Sequence, residues 1–307
     1  MYRFITEQRI FDIGGVEIGG QPGELPTVLM GNIFYKGMPE VVDHEKGEFK
    51  TKPVSKWISV AEELSDKTGV PHFLDVMASH PRAMEKYVSF VAEKSSSVFL
   101  IDGSTSETQA AGLKAIRDHG LQKRAMFNGI SPQTTGEELD AIRECEVRAA
   151  IVMAQNELDY SPAGRVAVLK RSEGQKGLVK IAEEAGVEKI LVDTIVFDIP
   201  SIGYAVEAIK LVKEELGYPA GCSPANATFD WKRVQDKALR RGFAAYNASA
   251  HTIAQMVGAD FLIYGPLKQA RNVIPACAMA DAIIAYHSSK LYGTKPLTAN
   301  HPLYKIF

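Results

Sequence analysis

The stretch Val98-Phe-Leu-Ile-Asp102, followed by Gly103-Ser-Thr105 and a segment that ends at Gly120, contains the unit from which the fold is built. Its apolar run is short and uninterrupted, which is typical of a strand buried on both faces of a parallel sheet. Ser104 and Thr105, followed by Glu107, predict the start of a helix, and Gly120 predicts its end. The stretch therefore predicts a strand, a turn and a helix.

The same unit recurs along the whole chain, which has 307 residues. Seven further apolar runs are each followed by a helical pattern: Thr27–Asn32, His72–Val76, Ala125–Asn128, Ala149–Ala154, Ile190–Asp193, Pro219–Cys222 and Phe261–Tyr264. Strands that alternate with helices form right-handed crossovers and a parallel sheet, and eight such units predict closure into a (β/α)8 TIM barrel. An open doubly wound sheet is the alternative, but Gly31-Asn-Ile-Phe-Tyr-Lys-Gly37 is not its usual glycine-rich phosphate loop.

The two ends of the chain differ from this repeating unit. Alternating residues around Gly14-Gly15 predict an N-terminal hairpin at about residues 8–20, positioned to plug the bottom of the barrel. The segment after Pro266 predicts a C-terminal helical extension. No linker or low-complexity segment separates the parts, so we expect a single TIM-barrel domain over residues 1–307.

Composition excludes several classes of partner. The formal net charge is −2, so no basic field attracts nucleic acid or an anionic membrane. No apolar run approaches the roughly 20 residues that span a bilayer, and the charged N-terminus does not resemble a signal peptide. The three cysteines form no CxxC or Cys/His cluster. We therefore expect a cytoplasmic protein without a bound metal.

The predicted strand ends carry a ring of carboxylates and carboxamides. Chemistry in this fold lies at the carboxyl ends of the strands. Those ends, with the loop after the seventh strand, carry Asn32, Asp75, Asp102, Asn128, Gln155, Asn156, Asp193 and Asn226. No strand end carries the lysine of a Schiff-base aldolase, the HxH pair of a metallohydrolase or the two glutamates of a retaining glycosidase.

This ring of side chains suits a small polar ring compound with paired donors and acceptors. A carboxylate accepts from N–H and amino groups, and a carboxamide both donates and accepts. A 2-amino-4-oxo pyrimidine ring has this pattern. Each Asp or Asn taken alone is more often a helix cap or turn residue, so the prediction rests on the strand-end side chains taken together.

Several segments along the chain resemble one family, the H subunits of methyltetrahydromethanopterin:coenzyme M methyltransferase. The resemblance covers essentially the whole chain, and it is carried by Ile18-Gly-Gly-Gln-Pro-Gly-Glu24, Pro26-Thr-Val-Leu-Met-Gly-Asn-Ile-Phe-Tyr35, Phe99-Leu-Ile-Asp-Gly-Ser104, Ile181-Ala-Glu-Glu-Ala-Gly186, Asp260-Phe-Leu-Ile-Tyr-Gly-Pro266, Ala280-Asp-Ala-Ile-Ile284 and His301-Pro302. This family is in turn similar to the methyltetrahydrofolate:corrinoid methyltransferases, which are pterin-binding TIM barrels.

The resemblance implies roles for individual residues. Asp102, Asn128 and Asp193 match the strand-end residues that hold the pterin, and Asn226 matches the catalytic Asn placed near pterin N5. The strand-end ring adds Asp75 and Gln155 to the predicted pterin-binding set.

The resemblance also implies an activity. We expect methyl transfer between a corrinoid (methylcobalamin), carried on a separate corrinoid protein, and N5 of tetrahydrofolate, by a homodimer. Lys36-Gly-Met-Pro-Glu40 stands where the archaeal family members carry a histidine-lysine pair, which favours such a free-standing enzyme. The alternatives are a tetrahydromethanopterin-specific component of a larger complex and a non-catalytic component that docks a corrinoid protein. A dihydropteroate synthase would instead require strand-end Lys and Arg for its diphosphate.

Overall fold

The computed structural model describes residues 3–170 and 175–307, and within these ranges eight parallel strands close into a barrel. In chain order the strands are β1 (Ile10–Ile13), β2 (Val16–Gly19), β3 (Val28–Ile33), β4 (Val41–Asp43), β5 (Glu48–Phe49), β6 (His72–Ala78), β7 (Phe99–Gly103), β8 (Ala125–Ile130), β9 (Ala149–Met153), β10 (Lys189–Asp193), β11 (Ala220–Cys222) and β12 (Phe261–Pro266). The barrel consists of β3 and β6 to β12, in chain order around its circumference, and β12 pairs with β3 to close it.

Helices follow the barrel strands and surround them. Their bounds are α1 (Thr51–Thr68), α2 (Pro81–Lys94), α3 (Ser106–Asp118), α4 (Gly136–Glu144), α5 (Pro162–Leu169), α6 (Leu178–Glu184), α7 (Ser201–Glu215), α8 (Pro224–Val234), α9 (Lys237–Arg241), α10 (Phe243–Met256), α11 (Ala270–Tyr292) and α12 (Pro302–Lys305). Every apolar run that the sequence singles out is a barrel strand, so the predicted (β/α)8 TIM barrel is confirmed.

Alternation along the strands sorts the core into two layers. In β3, Val28 and Met30 belong to the cluster that fills the barrel, whereas Leu29 between them packs into the layer under the helices. Successive side chains of a strand point to opposite faces, and closure makes one face the interior. The interior cluster also contains Phe73, Val98, Leu100, Met126, Ala149, Ile151, Leu191, Phe261 and Ile263.

An antiparallel hairpin, β1 paired with β2, covers the amino-terminal end of this interior. Ile13 and Ile18 are fully buried in the same cluster as Val28 and Phe73. The hairpin therefore seals the bottom with apolar side chains, and the opposite end is left as the open mouth. At the C-terminal end of the chain, α11 packs against α1 and α10. In the described ranges, no helix combines the length and apolarity needed to cross a membrane.

A buried ion pair ties a helix to the bottom of the barrel. The Lys213 ammonium of α7 lies 2.6 Å from both carboxylate oxygens of Asp260 and also donates to the Gly20 carbonyl at 3.0 Å. Asp260 accepts in addition from the Ala220 backbone N–H at 2.9 Å. The pair is nearly excluded from solvent, with 1% and 8% of the two side chains exposed. The pair thereby joins α7 to the end of the hairpin and to strand β11, and each buried charge is compensated by the other.

We predict that Asp260→Ala is strongly destabilising, because it leaves the Lys213 ammonium buried without its carboxylate. The free energy of unfolding should fall by about 3–5 kcal/mol in urea titrations. The matched control is Asp230→Ala, which breaks the exposed Arg233–Asp230 pair and should cost about 0–1 kcal/mol. Equal losses in the two variants would contradict a role for the buried pair.

Candidate functional site

A polar cavity of about 450 Å³ opens at the carboxyl ends of the barrel strands. That volume is in the range of small-molecule sites. Each barrel strand, or the residue directly after it, contributes at least one inward-pointing side chain to the lining: Asn32, Asp75 with Met77, Asp102, Asn128, Met153, Asp193, Ser223 and Ile263. The alternation that fills the barrel with apolar side chains therefore ends, at the mouth, in a layer that is mostly polar.

The structure brings most of the predicted site residues together. Asp75, Asp102, Asn128 and Asp193 line the cavity, and Asn226 joins them from the first turn of α8. Gln155 is not among the lining residues. Strand β9 ends at Met153, which takes the position toward the cavity, and the Gln155 N–H turns back to donate to the Met153 carbonyl at 2.7 Å.

Two carboxyl groups share one side of the cavity, and no cation from the described lining lies between them. Burial raises the pKa of Asp75 well above its usual value, and the charge of Asp102 raises it further. The Asn128 side chain donates to Asp75 Oδ1 at 3.3 Å, which acts in the opposite direction. Burial also raises the pKa of Asp102, to about 6. A ligand that donates N–H hydrogen bonds to Asp75 and Asp102 therefore stabilises the carboxylate form of both.

A strained turn holds the third carboxyl group, Asp193 at the end of β10. Asp193 Oδ1 accepts from the Ile195 backbone N–H at 2.7 Å. Ile195 has φ 58°, a left-handed conformation that is costly for a β-branched residue. Burial raises the pKa of Asp193 to about 6, while this hydrogen bond and the nearby Arg165 charge act to lower it.

The guanidinium of Arg165, from α5, donates hydrogen bonds to the backbone of the turn that follows β10. Its Nη1 donates to the Thr194 carbonyl at 2.6 Å and to the Ile195 carbonyl at 2.8 Å, and its Nε donates to the Tyr160 carbonyl at 3.0 Å. Only 1% of Arg165 is exposed. A fully buried cation that binds the backbone on both sides of a strained residue fixes where Asp193 can point.

Carboxamides supply further polar groups beside the hydroxyl groups of the lining, and two carboxamide oxygens have no partner within the described ranges. Asn32 Oδ1 and Gln109 Oε1 are buried without a hydrogen bond, although Gln109 Nε2 donates to the Asn128 carbonyl at 2.8 Å. The Asn226 Oδ1 accepts from the Ser223 hydroxyl at 3.2 Å. Unpaired buried acceptors are costly, so a ligand with several N–H groups fits this lining.

Sequence reasoning missed Arg165, Gln109 and Met153. Arg165 and Gln109 lie on helices, so a search of strand ends does not reach them. Met153 keeps the two-residue period that places Ile151 inside the barrel, but Gln155 keeps it as well, and the sequence does not show that the strand ends at Met153.

The lining also limits the chemistry. Among the described residues that line the cavity, none is Lys or Arg. Across the described ranges, no group of three or more His, Cys, Asp or Glu side chains is arranged to hold a metal ion. The cavity is thus suited to a polar ring with donors toward the carboxyl groups.

Solved structures of other proteins share the fold of this chain. A Yersinia pestis dihydropteroate synthase with a pterine–sulfa conjugate matches with a TM-score of 0.60 at 11% identity, covering 90% of this chain and 99% of that chain. A Xanthomonas albilineans dihydropteroate synthase in complex with indole-2-carboxylic acid and 6-chloroguanine matches with a TM-score of 0.56 at 16% identity, covering 90% and 98%. At such identities the likeness establishes the TIM-barrel fold.

Sequence relatives define the family. The profile of the tetrahydromethanopterin S-methyltransferase MtrH subunit matches residues 6–296. The H subunit of tetrahydromethanopterin S-methyltransferase from Methanothermobacter thermautotrophicus is 36% identical, and the one from Methanosarcina acetivorans is 32% identical; each alignment covers 100% of both chains. The chain belongs to the MtrH family of methyltransferase subunits, which confirms both the resemblance seen in the sequence and the enzyme class.

We predict that Arg165→Met lowers stability and raises the pKa of Asp193 above about 6. The variant leaves the Thr194 and Ile195 carbonyls buried without their donor, at a cost of about 2–4 kcal/mol in urea unfolding. It also removes the cation that lowers the pKa of Asp193, which carboxyl-carbon NMR can follow. Arg233→Met, at an exposed position, is the control. An unchanged Asp193 pKa would refute the role given to Arg165.

Proposed function

We propose that this chain transfers a methyl group between N5 of a tetrahydropterin and a corrinoid that a separate protein carries. The observation that supports this most directly is the ring of Asp75, Asp102, Asn128 and Asp193 at the mouth of a barrel whose relatives are methyltransferase subunits. The corrinoid supplies or accepts the methyl group. The residues of this chain bind the pterin, orient it and act on N5.

Recognition of the ring rests on hydrogen bonds to carboxylates. The pyrimidine part of a pterin presents an amino group and a ring N–H next to each other, which suits the acceptors of Asp102 and Asp193. Asn128 and Asn32 offer both donors and acceptors for the remaining edge. Met153 and Ile263 supply apolar surface to the same cavity. Asp193 is buried and Asp102 is half-buried, and no cation of the described lining compensates either carboxylate. Ligand N–H groups therefore replace the hydration that both lost on folding.

The proposed catalytic residue is Asn226. Its Oδ1 is engaged by the Ser223 hydroxyl, so its amide N–H groups remain for a ligand. When the methyl group leaves N5 for the corrinoid, the electron pair of the broken N–C bond stays on the nitrogen. A hydrogen bond from the Asn226 amide N–H stabilises this developing negative charge more than it stabilises the methylated ground state, and a proton from solvent completes the neutral tetrahydropterin. The rest of the rate arises from holding N5 toward the open mouth, where the corrinoid approaches.

The relatives favour one pterin over the other. The sequence alone led us to expect a free-standing enzyme that uses tetrahydrofolate, with a tetrahydromethanopterin-specific component of a complex as the alternative. The relatives carry the name tetrahydromethanopterin S-methyltransferase, so we propose tetrahydromethanopterin as the preferred pterin and a multi-subunit assembly as the setting. The corrinoid protein belongs to that assembly as the partner that covers the mouth.

Two further features of the proposal concern the whole chain. We propose that barrel, hairpin and C-terminal helix act as one domain and pair as a homodimer. Met279, Ile283 and Tyr286 support the pairing, because they leave an apolar face of α11 exposed.

We also place the protein in the cytoplasm, since Cys145, Cys222 and Cys277 are buried as free thiols.

Two rival functions predict different results. A dihydropteroate synthase shares the fold but must bind a diphosphate, and the described lining offers no Lys or Arg for one. A non-catalytic docking component would bind a corrinoid protein without moving a methyl group.

The test is methyl transfer with purified protein, methylcobalamin and either tetrahydromethanopterin or tetrahydrofolate, followed by the absorbance of cob(I)alamin. We expect transfer with tetrahydromethanopterin at the higher rate. Asn226→Ala should lower the single-turnover rate about 100-fold while the dissociation constant for the pterin changes little. Absence of transfer with both pterins would refute the catalytic function, and a variant that loses affinity but keeps its rate would reassign Asn226.

We predict that affinity for the pterin rises as the pH increases through about 6. Below this pH, Asp102 and Asp193 are protonated and lose their capacity to accept from ring N–H groups; above it, both are carboxylates. Fluorescence titrations between about pH 5.5 and 8 would measure the change. Asp193→Asn should flatten the profile. An affinity that falls with rising pH would contradict binding through these carboxylates.

A further inference from the structure

Positive side chains lie beside the mouth of the cavity, in the segments that follow β11 and β12. Helix α8 begins next to Ser223 and contains Asn226, both in the cavity lining. Lys232 lies six residues beyond Asn226, or roughly 9 Å along the helix axis. Lys268 is the second residue after β12, whose carboxyl end is also at the mouth. Helix and strand end thus carry cations at one sector of the rim.

Lys232 is held in place by aromatic rings. Its ammonium lies 4.0 Å from the centre of the Phe243 ring and 5.7 Å from that of Phe229. These two rings pack against each other with centres 4.6 Å apart. Phe229 packs in turn against Gly265 of β12, where an added Cβ would lie 3.2 Å from the ring. The aromatic pair therefore anchors the ammonium to the end of a barrel strand.

The charges around Lys232 repel it. Burial lowers the pKa of the Lys232 ammonium, and the charges of Lys268 and Arg240 lower it further. In the described part of the chain, none of these three side chains forms a salt bridge, whereas the neighbouring Arg233 pairs with Asp230 at 2.6 Å. The Asp236 carboxylate is taken up by the Ala238 and Leu239 backbone N–H groups. Arg240 Nη2 donates to the carbonyl of Arg233, the residue after Lys232, at 2.9 Å. Three cations are therefore close together, and no carboxylate among the described residues forms a salt bridge with them.

We propose that Lys232, Arg240 and Lys268, the cationic rim, bind the anionic tail of the tetrahydropterin. The inference rests on the proposed function, because it requires the ring to occupy the cavity. Tetrahydropterin cofactors carry a pendant tail that ends in carboxylates or contains a phosphate, and both are anions that Lys and Arg recognise. The cavity takes the donor-rich ring with carboxylates, and the rim takes the anionic end with cations. A ligand with this polarity binds in one orientation only.

The experiment compares two ligands that differ in the tail. One is tetrahydrofolate, which ends in glutamate carboxylates; the other is 6-methyltetrahydropterin, which has the ring alone. We expect Lys232→Gln/Lys268→Gln to weaken tetrahydrofolate binding roughly 5- to 30-fold, as expected for two partly exposed charge contacts. Binding of 6-methyltetrahydropterin should change less than about twofold, and Arg240→Gln should follow the same pattern. Added salt should weaken only the tailed ligand.

A third ligand separates the two kinds of tail. Tetrahydromethanopterin, whose tail also contains a phosphate, should lose more affinity than tetrahydrofolate in the rim variants if the phosphate is the group bound. The matched control is Arg233→Gln/Lys237→Gln, which removes the same charge at neighbouring exposed positions. It should leave the dissociation constants of both tailed ligands unchanged.

Four results would overturn the assignment. Equal losses for the tailed and tailless ligands would mean that the variants disturb the cavity, and unchanged affinity for both tailed ligands would mean that the rim does not touch the tail. A lower rate only with a corrinoid protein, at unchanged pterin affinity, would assign the rim to an acidic protein partner. If the wild-type chain failed to bind 6-methyltetrahydropterin, the proposed function itself would fall, and the rim assignment with it.

Discussion

The alternation of side chains along closed parallel strands is the constraint on which the rest of the structure depends. Because every second residue points inward, the barrel strands deliver their interior side chains in layers. Ile13 and Ile18 of the hairpin seal the lower end of these layers, and the uppermost layer faces the mouth. A chain that fills its barrel with Met30, Leu100 and Leu191 thereby exposes, two residues later, Asn32, Asp102 and Asp193 to one cavity.

Burying the polar side chains at the mouth costs folding free energy, and the same burial favours ligands that donate hydrogen bonds to them. Asp75, Asp102 and Asp193 are largely withdrawn from water without a cation in the described lining, so the pKa of each is raised. Asn32 Oδ1 and Gln109 Oε1 are buried without partners in the described ranges. Each of these groups is stabilised by a ligand that donates N–H hydrogen bonds and is destabilised by an anionic one. Under the proposed function, the burial that makes these groups costly in the free protein also selects a ring that donates N–H hydrogen bonds.

Charge is separated along the barrel axis. At the bottom, Lys213 and Asp260 neutralise each other within hydrogen-bonding distance, and their role is to hold α7 and the hairpin to the strands. At the mouth, carboxyl groups lie inside the cavity while Lys232 and Lys268 lie outside it, so these opposite charges do not pair with each other. Arg165 forms no salt bridge in the described ranges, but it donates to backbone carbonyls and so fixes the direction of Asp193. Compensated charges stabilise the fold, and uncompensated ones remain for ligands.

The sequence determined the barrel and the polar strand ends that line its cavity, because both follow from short-range patterns. The apolar runs mark the strands, and polar residues at their ends, such as Asp102 and Asn128, mark the cavity, since parallel strands share one carboxyl edge. The exact end of β9 was not visible in the pattern, so Gln155 was expected where Met153 lies.

Tertiary structure alone decided the contacts between distant segments. Arg165 reaches the turn after β10 from α5, and Lys268 approaches Lys232 from another strand end. Contacts of this kind leave no periodic signal, because they depend on how helices pack around the closed sheet and not on the order of neighbouring residues. The fold class and the polar ring were therefore readable from the sequence, whereas the support of Asp193 and the cationic rim required the folded chain.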